Sequence, residues 1–224
     1  MMAMKAMMAK VTLVALVSAL WTNNAAADQR FDLLRSAQMD DARTVKALLA
    51  AGLDPNLSEG ERGESAMMVA LRENSMRVFA LLLAHPLINL EAASINGNTA
   101  LMLAAFKHNK PALLALLAKG AQVNRPGWTA LHFAAASGAD EIVRILLEQH
   151  AYIDTESPNK ITPVMIAARE GHLSTVQLLL DEGADATLRN AEGVTAAEFA
   201  VRADKQFIAD AIAAHLAARA RPKQ

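Results

Sequence analysis

The segment Thr129-Ala-Leu-His-Phe-Ala-Ala-Ala-Ser-Gly138 returns 33 residues later as Thr162-Pro-Val-Met-Ile-Ala-Ala-Arg-Glu-Gly171. The same frame begins at Ser65, Thr99 and Thr195, so five copies share it. Self-similarity at a fixed spacing of this size is typical of repeat architectures, in which each copy is one supersecondary unit. The chain is therefore predicted to be an array of similar units that stack on one another.

Each copy predicts two short helices. Its Ser or Thr precedes an Ala-rich segment, where the hydroxyl can cap the first helix. A Leu-rich segment at helical spacing follows, as in Leu113-Leu114…Leu116-Leu117. Glycines such as Gly183 end the second helix, because glycine adopts the left-handed conformation at low cost. Asn96-Gly97 and Glu192-Gly193 are turn dipeptides suited to a hairpin between copies.

This pattern resembles the ankyrin repeat, whose consensus is Gly-x-Thr-Pro-Leu-His-x-Ala-Ala, then a leucine-rich helix and Gly-Ala-Asp. The resemblance implies an all-α repeat fold: an ankyrin solenoid of stacked helix-turn-helix units with β-hairpin or loop fingers. The ankyrin-repeat domain is predicted over residues 28–218, and residues 219–224 form a basic tail. The copies, numbered 1 to 6 below, are predicted near 28–56, 60–90, 94–124, 125–154, 157–187 and 190–218.

Residues 1–27 are predicted to be a cleaved signal peptide. Lys5 and Lys10 give a positively charged start, Val11–Trp21 is apolar, and Ala25-Ala26-Ala27 offers a small-residue cleavage site. The apolar part is shorter than the roughly 17 residues that a membrane-spanning helix needs, so no membrane attachment is expected after cleavage. A short charged start and an Ala-rich end are typical of bacterial export. The expected location is the periplasm, with secretion as the alternative.

The composition excludes several classes of function. The chain is 53% hydrophobic, and its 22 Lys and Arg residues balance 23 acidic residues, which leaves no electrostatic footprint for nucleic acid. Because it contains no cysteine, disulfides, thiolate zinc sites and cysteine nucleophiles are excluded together. The six histidines are spread along the repeats and no catalytic motif is present. The chain is therefore expected to be non-enzymatic, without catalytic residues, cofactor or metal.

The resemblance also implies where a partner would bind. In ankyrin proteins the binding positions flank the turn glycine, precede the Thr and follow the Ala-Ala pair. In this sequence they are Arg62, Glu64, Arg72, Glu73, Ile95, Asn96, Asn98, Phe106, Lys107, Arg125, Trp128, Ala136, Ser137, Asn159, Ile161, Arg169 and Glu170.

Copy 4 departs from the others in its connector. Between Asn124 and Thr129 stand only Arg125-Pro126-Gly127-Trp128, so the finger is predicted to be truncated. Trp128 and Phe106 are two aromatics at predicted exposed positions in a chain with few aromatics, and aromatics beside Arg and Asn resemble a binding hot spot. The alternative is that Trp128 folds back over the short finger and plugs the local core. The two roles can coexist.

We expect a monomer that binds another protein through the concave face of the array. The resemblance to bacterial periplasmic ankyrin proteins implies that it supports or regulates an envelope protein, including peroxide resistance through a catalase. One alternative is a secreted effector that binds a host protein. The other is an enzyme whose site carries no recognisable motif.

Overall fold

A computed structural model of the chain describes residues 28–220. The predicted signal peptide and residues 221–224 of the predicted basic tail lie outside the described residues. The described part divides after Ile88 into two compact units, called unit 1 and unit 2 here. Unit 1 contains copies 1 and 2, and unit 2 contains copies 3 to 6.

Unit 1 consists of two helix pairs. The helices are α1 (28–38), α2 (Ala42–Ala50), α3 (Ala66–Arg72) and α4 (Met76–Ala84). Helix α4 packs against both α2 and α3. The side chains of Leu33, Val45, Val78 and Leu82 are fully buried in the core of this unit. Burial of these aliphatic side chains drives the pairing, since short helices are marginal alone.

Unit 2 consists of four helix pairs. The pairs are α5 (Ala100–Phe106) with α6 (Lys110–Ala118), α7 (Ala130–Ser137) with α8 (Asp140–Glu148), α9 (Pro163–Glu170) with α10 (Leu173–Asp181), and α11 (Ala196–Arg202) with α12 (Gln206–Ala220). The first helices α5, α7, α9 and α11 pack on one another in chain order, and each second helix packs on the first helix of its own pair. The Ala-Ala pairs of α5, α7 and α9 are buried, because small side chains let these helices approach closely.

The turn between the helices of a pair requires a left-handed backbone. Gly138 and Gly171 adopt it with φ of 71° and 96°. His108 and Asp204 occupy the same position in copies 3 and 6, with φ of 55° and 59°. These two residues thus replace the turn glycine, at the steric cost that a Cβ brings to this conformation.

The fingers are tight turns. Among residues 28–220 the β pairing amounts to one isolated antiparallel bridge, between Ser58 and Ser65. Copies 3, 5 and 6 close their fingers by the same bond, from the N–H of Ser94, Ser157 or Asn190 to the carbonyl four residues on, at 2.9, 3.0 and 3.0 Å. The all-α ankyrin fold with loop fingers is thus confirmed, and it places finger tips and first-helix ends side by side in unit 2.

Candidate functional site

The truncated finger of copy 4 opens a gap in an otherwise regular row. The full finger of copy 5 is closed by Ser157, whose N–H and hydroxyl oxygen both bond to Ile161. Arg125-Pro126-Gly127-Trp128 is too short for this turn, and Gly127 turns the chain with φ of 82°. Because the finger is shortened, Trp128 lies directly beside the row of first helices. The sequence prediction of a truncated finger is confirmed.

A pocket of about 270 Å³ lies beside this finger, and it is called the aromatic pocket here. Its lining comes from copies 3, 4 and 5 of unit 2 and consists of Asn96, Asn98, Phe106, Trp128, His132, Phe133, Ala136, Ile166 and Arg169. The rings of Phe106 and Phe133 meet edge to face with centroids 6.3 Å apart. This is the geometry that aromatic quadrupoles favour, so the two rings hold each other in place.

One register position explains why the pocket exists. Phe106, Ala136 and Arg169 are the seventh residues of α5, α7 and α9, and therefore neighbours across the stack. Where the copies on either side carry a large side chain, Ala136 carries a methyl group. The space above Ala136 is left open between the ring of Phe106 and the side chain of Arg169.

Trp128 both covers the core and faces the pocket. Its ring meets the ring of His132 edge to face, with centroids 5.1 Å apart and an interplanar angle of 70°. Trp128 is half-buried, whereas His132 beneath it is fully buried. The remaining surface of the indole lines the pocket. The two roles predicted for Trp128 therefore coincide in geometry, and its contribution to binding stays a prediction.

His132 supports the pocket from below. The N–H of Thr129 donates to its Nδ1 at 3.2 Å, which leaves the proton on Nε2, and Nε2 donates to the carbonyl of Ile161 at 2.8 Å. The hydroxyl of Thr129 also lies 3.0 Å from Nδ1. Burial lowers the pKa of His132 to about 4, so the ring is neutral at physiological pH. Its nitrogens are engaged in joining copies 4 and 5, which gives His132 a structural role.

In copies 3 and 5 a methionine sulfur, in place of a histidine nitrogen, accepts the hydrogen bond from the N–H of the Thr that caps the first helix. The N–H groups of Thr99 and Thr162 donate to the Sδ atoms of Met102 and Met165, each at 3.4 Å. Thioether sulfur is a weak acceptor, and it cannot accept and donate at two places as imidazole does. In copy 5 the hydroxyl oxygen of Thr162 is buried without a hydrogen-bond partner. Both methionines are buried and fill the core at this position of the repeat.

The rim of the pocket is polar and carries two arginines. Arg125 is half-buried and donates from Nη1 to the carbonyl of Gly97 at 3.1 Å, beside Asn96 and Asn98. On the opposite side, Arg169 pairs with Glu170 at 2.9 Å. The pair is exposed and thus worth little in stability. The guanidinium of Arg169 remains beside the opening of the pocket.

The structure gathers some of the predicted binding residues and separates others. Asn96, Asn98, Phe106, Trp128, Ala136 and Arg169 line the aromatic pocket. Ile95 and Lys107 are exposed beside it in sequence, without lining it. Asn159, Ile161 and Ser137 each offer a backbone carbonyl to a neighbouring copy, to Ala191, His132 and His108 respectively.

Four predicted binding residues lie in unit 1. Arg62 is exposed there, and Arg72 forms ion pairs with Glu64 and Glu73. These charges satisfy one another in part. The aromatic pocket of unit 2 is therefore the better-defined candidate site.

Phe133 and Ile166 line the pocket although sequence reasoning did not select them. Both are the fourth residue of a first helix, a position that faces the core elsewhere, as Val69 does in α3. The usable signal was the pair Phe133 and Ala136, three residues apart on one helix face, where a large ring stands next to a missing side chain.

The described residues contain no group of three His, Asp or Glu side chains placed to hold a metal ion. Among residues 28–220 there is also no helix with the length and apolarity needed to cross a bilayer. What the site provides is an apolar hollow with aromatic walls and a polar rim, an arrangement suited to holding a side chain of another molecule.

Comparison with known proteins identifies the repeats. The family model for ankyrin repeats (3 copies) matches residues 33–126, 87–157 and 131–222. The chain is 32% identical to human transient receptor potential cation channel subfamily A member 1 over 160 residues, which are 66% of this chain and 14% of the channel. It is 33% identical to human SH3 and multiple ankyrin repeat domains protein 2 over 157 residues, 68% of this chain and 8% of that protein.

A nematode relative matches over a longer part of the chain. Protein glp-1 of Caenorhabditis elegans is 30% identical over 190 residues, which are 77% of this chain and 14% of glp-1. The chain thus spans less than a fifth of the length of each of these relatives.

Proposed function

The chain belongs to the ankyrin-repeat family, and we propose that it is a non-catalytic module that binds and supports or regulates another protein, with the aromatic pocket of unit 2 as the centre of contact. Ankyrin repeats are protein–protein interaction modules, generally without chemistry of their own. The aromatic pocket is the part of this chain that we propose to contact the partner protein. The observation that carries it is the half-exposed Phe106 beside Trp128 at a pocket with a polar rim.

The energetic argument is that of an interface hot spot. Binding energy concentrates in a few aromatic and Arg side chains that are surrounded by contacts excluding water. Phe106 is 46% exposed, and covering its ring would remove apolar surface from water. Phe133 and His132 already hold Phe106 and Trp128 in place. Ordering these side chains on binding therefore costs little, which favours affinity.

The proposed place of action is the cell envelope. The charged start, the short apolar segment and the Ala-rich site of residues 1–27 support export. In that setting the partner would be an envelope protein, and protection against peroxide through a catalase is the role that the sequence resemblance suggests. A protein secreted to act on a host partner is the second candidate, which the same leader also supports. Cell fractionation separates the two, because an effector accumulates outside the cell.

The binding proposal is tested by capture and then by affinity. The full chain is used as bait in extracts of the source organism, with Trp128→Ala bait as control, and the specifically captured protein is purified. We expect Trp128→Ala to weaken its binding by at least about 30-fold, the scale of a hot spot, with little change in the unfolding midpoint. Tyr152→Ala is the matched control, because Tyr152 is an exposed aromatic residue of copy 4 outside the aromatic pocket, and it should change affinity little.

Two results would contradict the proposal. If Trp128→Ala lowers stability but leaves affinity unchanged, Trp128 is a core plug and the contact lies elsewhere. If the purified chain turns over esterase, phosphatase or glycosidase substrates, the non-catalytic assignment is wrong.

A further inference from the structure

The size of the aromatic pocket limits what it can hold. Small-molecule and cofactor sites usually enclose roughly 300–1,000 Å³ and bury most of the ligand. The pocket here has about 270 Å³ and is open to one side. That volume suits a single large side chain whose backbone stays outside. Because the lining residues come from copies 3, 4 and 5, a peptide backbone that crosses these copies could place one side chain in the pocket.

The walls determine the kind of side chain. Phe106, Trp128 and Phe133 present ring faces and edges, and Ile166 closes the hollow on the side of copy 5. A ring inserted among these side chains can pack edge to face, as the existing ring pairs do, and a leucine can fill the same space by dispersion. His132, which also lines the hollow, has both ring nitrogens engaged within the chain. An apolar side chain therefore fits the hollow better than a polar one.

The charges at the rim of the pocket determine which charged residues of the partner can lie next to the inserted side chain. Arg125 and Arg169 stand at the pocket with one acidic residue, Glu170, whereas the whole chain carries a net charge of -1. Within residues 28–220, Arg125 has no carboxylate at ion-pair distance, and the one bond of its guanidinium goes to the neutral carbonyl of Gly97. The rim is thus locally positive on a chain that is not.

We infer that the occupant of the aromatic pocket is an extended acidic segment of the partner protein, which inserts one aromatic or leucine side chain and sets Asp or Glu carboxylates against Arg125 and Arg169. This inference rests on the proposed function and adds the chemistry of the partner. Guanidinium groups bind carboxylates through paired hydrogen bonds. The charges chiefly set orientation and association rate, and the inserted side chain supplies affinity.

The first experiment leaves the peptide sequence open. A displayed library of random dodecapeptides is selected on the full chain and counter-selected on the Ala136→Arg variant. Arginine at this position should fold, since copies 2, 5 and 6 carry Arg72, Arg169 and Arg202 at the same place of their first helices. We expect the selected peptides to share an aromatic residue or leucine with Asp or Glu close by. Peptides with basic or uncharged neighbours, or no enrichment over the counter-selection, would overturn the inference.

The second experiment measures affinity with one selected peptide, synthesised with a fluorescent label. Ala136→Arg should weaken binding at least about 30-fold by filling the pocket, although it adds a positive charge. Arg169→Ala should weaken binding about five- to tenfold, and added salt should reduce affinity further. Arg202→Ala is the matched control, because Arg202 has the same register and an acidic neighbour, Glu192, but lies outside the pocket. It should leave affinity within about twofold.

Circular dichroism and thermal unfolding of each variant show whether it is folded, and Ala136→Gln serves as a second blocking variant. Equal peptide affinity in Ala136→Gln, Ala136→Arg and the original chain would overturn the inference. If the captured protein partner depends on Trp128 while the selected peptides are basic, the proposed function stands and the acidic occupant is wrong. If neither protein binding nor peptide binding depends on the pocket, both the proposed binding site and the acidic occupant are wrong.

Discussion

Copies 4 and 5 of unit 2 share one frame and differ at the positions that face outward. Both begin their first helix at Thr, bury an Ala-Ala pair and turn at a left-handed glycine. Copy 4 has Trp128 and Ala136 where copy 5 has Ile161 and Arg169. Copy 5 closes a full finger, whereas copy 4 has only a shortened one. The shared positions build the stack, and the differing ones build the pocket.

The difference also reaches the core. Copy 4 connects its cap to copy 5 through His132, whereas Met165 in copy 5 accepts one weak bond and leaves the hydroxyl of Thr162 unpaired. The better-satisfied copy is thus the one that carries the shortened finger. We interpret the His132 network as what holds the short segment in place under Trp128.

The largest expected effect comes from replacing His132 of copy 4 with methionine, the residue that copy 5 has at this position. The pKa of His132 is about 4 in the folded chain, below its ordinary value of 6.5. Between these values the unfolded chain binds more protons, so the free energy of unfolding decreases as pH falls, by up to about 3 kcal/mol. His132→Met should abolish this part of the acid sensitivity. Urea unfolding at neutral pH and at about pH 4.5 measures it.

Met165→His, the opposite exchange, is the control for that experiment, because it adds a buried imidazole to copy 5. Equal loss of stability in acid for the original chain and for His132→Met would show that His132 is not the group that titrates. The lowered carboxylate pKa values of Asp41 and Glu198 act at lower pH, below their ordinary values of 3.8 and 4.5, and are common to all variants.

The second effect compares the turn glycines of the two copies. A Cβ on Gly138 would lie 2.6 Å from Nδ1 of His172, whose Nε2 donates to the carbonyl of Ala136 at 3.1 Å. A Cβ on Gly171 would meet the flexible end of Lys205 at 3.0 Å. Gly138→Ala should cost about 2–3 kcal/mol, because it adds displacement of His172 to the left-handed penalty, and Gly171→Ala about 1–2 kcal/mol.

Chemical denaturation of the two glycine variants gives this difference directly. A His172→Ala background should bring the two costs together, because the ring that Gly138→Ala displaces is then gone. Unequal costs in that background would mean that the turn of copy 4 is strained for another reason.

A smaller, stabilising effect is expected from giving copy 5 the cap of copy 4. Met165→His supplies a partner for the buried hydroxyl of Thr162 and a stronger acceptor for its N–H. We expect the free energy of unfolding at neutral pH to rise by about 1 kcal/mol, the usual worth of a hydrogen bond. Met165→Leu keeps the volume without the acceptor and should show no gain. A gain in both variants would point to packing instead.

The smallest effect concerns the finger of copy 5. Lys160 holds the turn with φ of 55°, where copies 3 and 6 have Gly97 and Gly193. Lys160→Gly should raise the free energy of unfolding by about 0.5 kcal/mol, since relief of the left-handed penalty exceeds the entropy that glycine loses. Lys160→Ala removes the same charge but keeps the Cβ, and it should give no gain in thermal unfolding.

The frame itself could be predicted from the sequence, because each recurring residue has a local reason. Thr162 starts a helix and Gly183 follows the end of the second helix of copy 5, as the spacing indicated. The truncated finger followed from the count of residues between Asn124 and Thr129. Such features are set by residues close together in the sequence, and a comparison of the repeated copies shows them.

The pocket could be predicted only in part, because it depends on contacts between copies. Phe133 and Ile166 stand at a position that faces the core in α3, and the small Ala136 between two larger neighbours is what makes them part of the pocket wall. The position of Trp128 depends on its contact with the ring of His132. The single domain over residues 28–218, the signal peptide and the monomeric state stay predictions.

The central claim is that the shortened finger and the small Ala136 of copy 4 together leave a pocket that a partner protein fills. Trp21→Phe leaves Trp128 as the only tryptophan of the full chain, so that its emission reports on this site alone. The direct measurement is acrylamide quenching of that emission, with and without the captured partner. The account predicts partial quenching in the free chain, since Trp128 is half-buried, and clear protection in the complex. Equal quenching in the free and bound chain would contradict it.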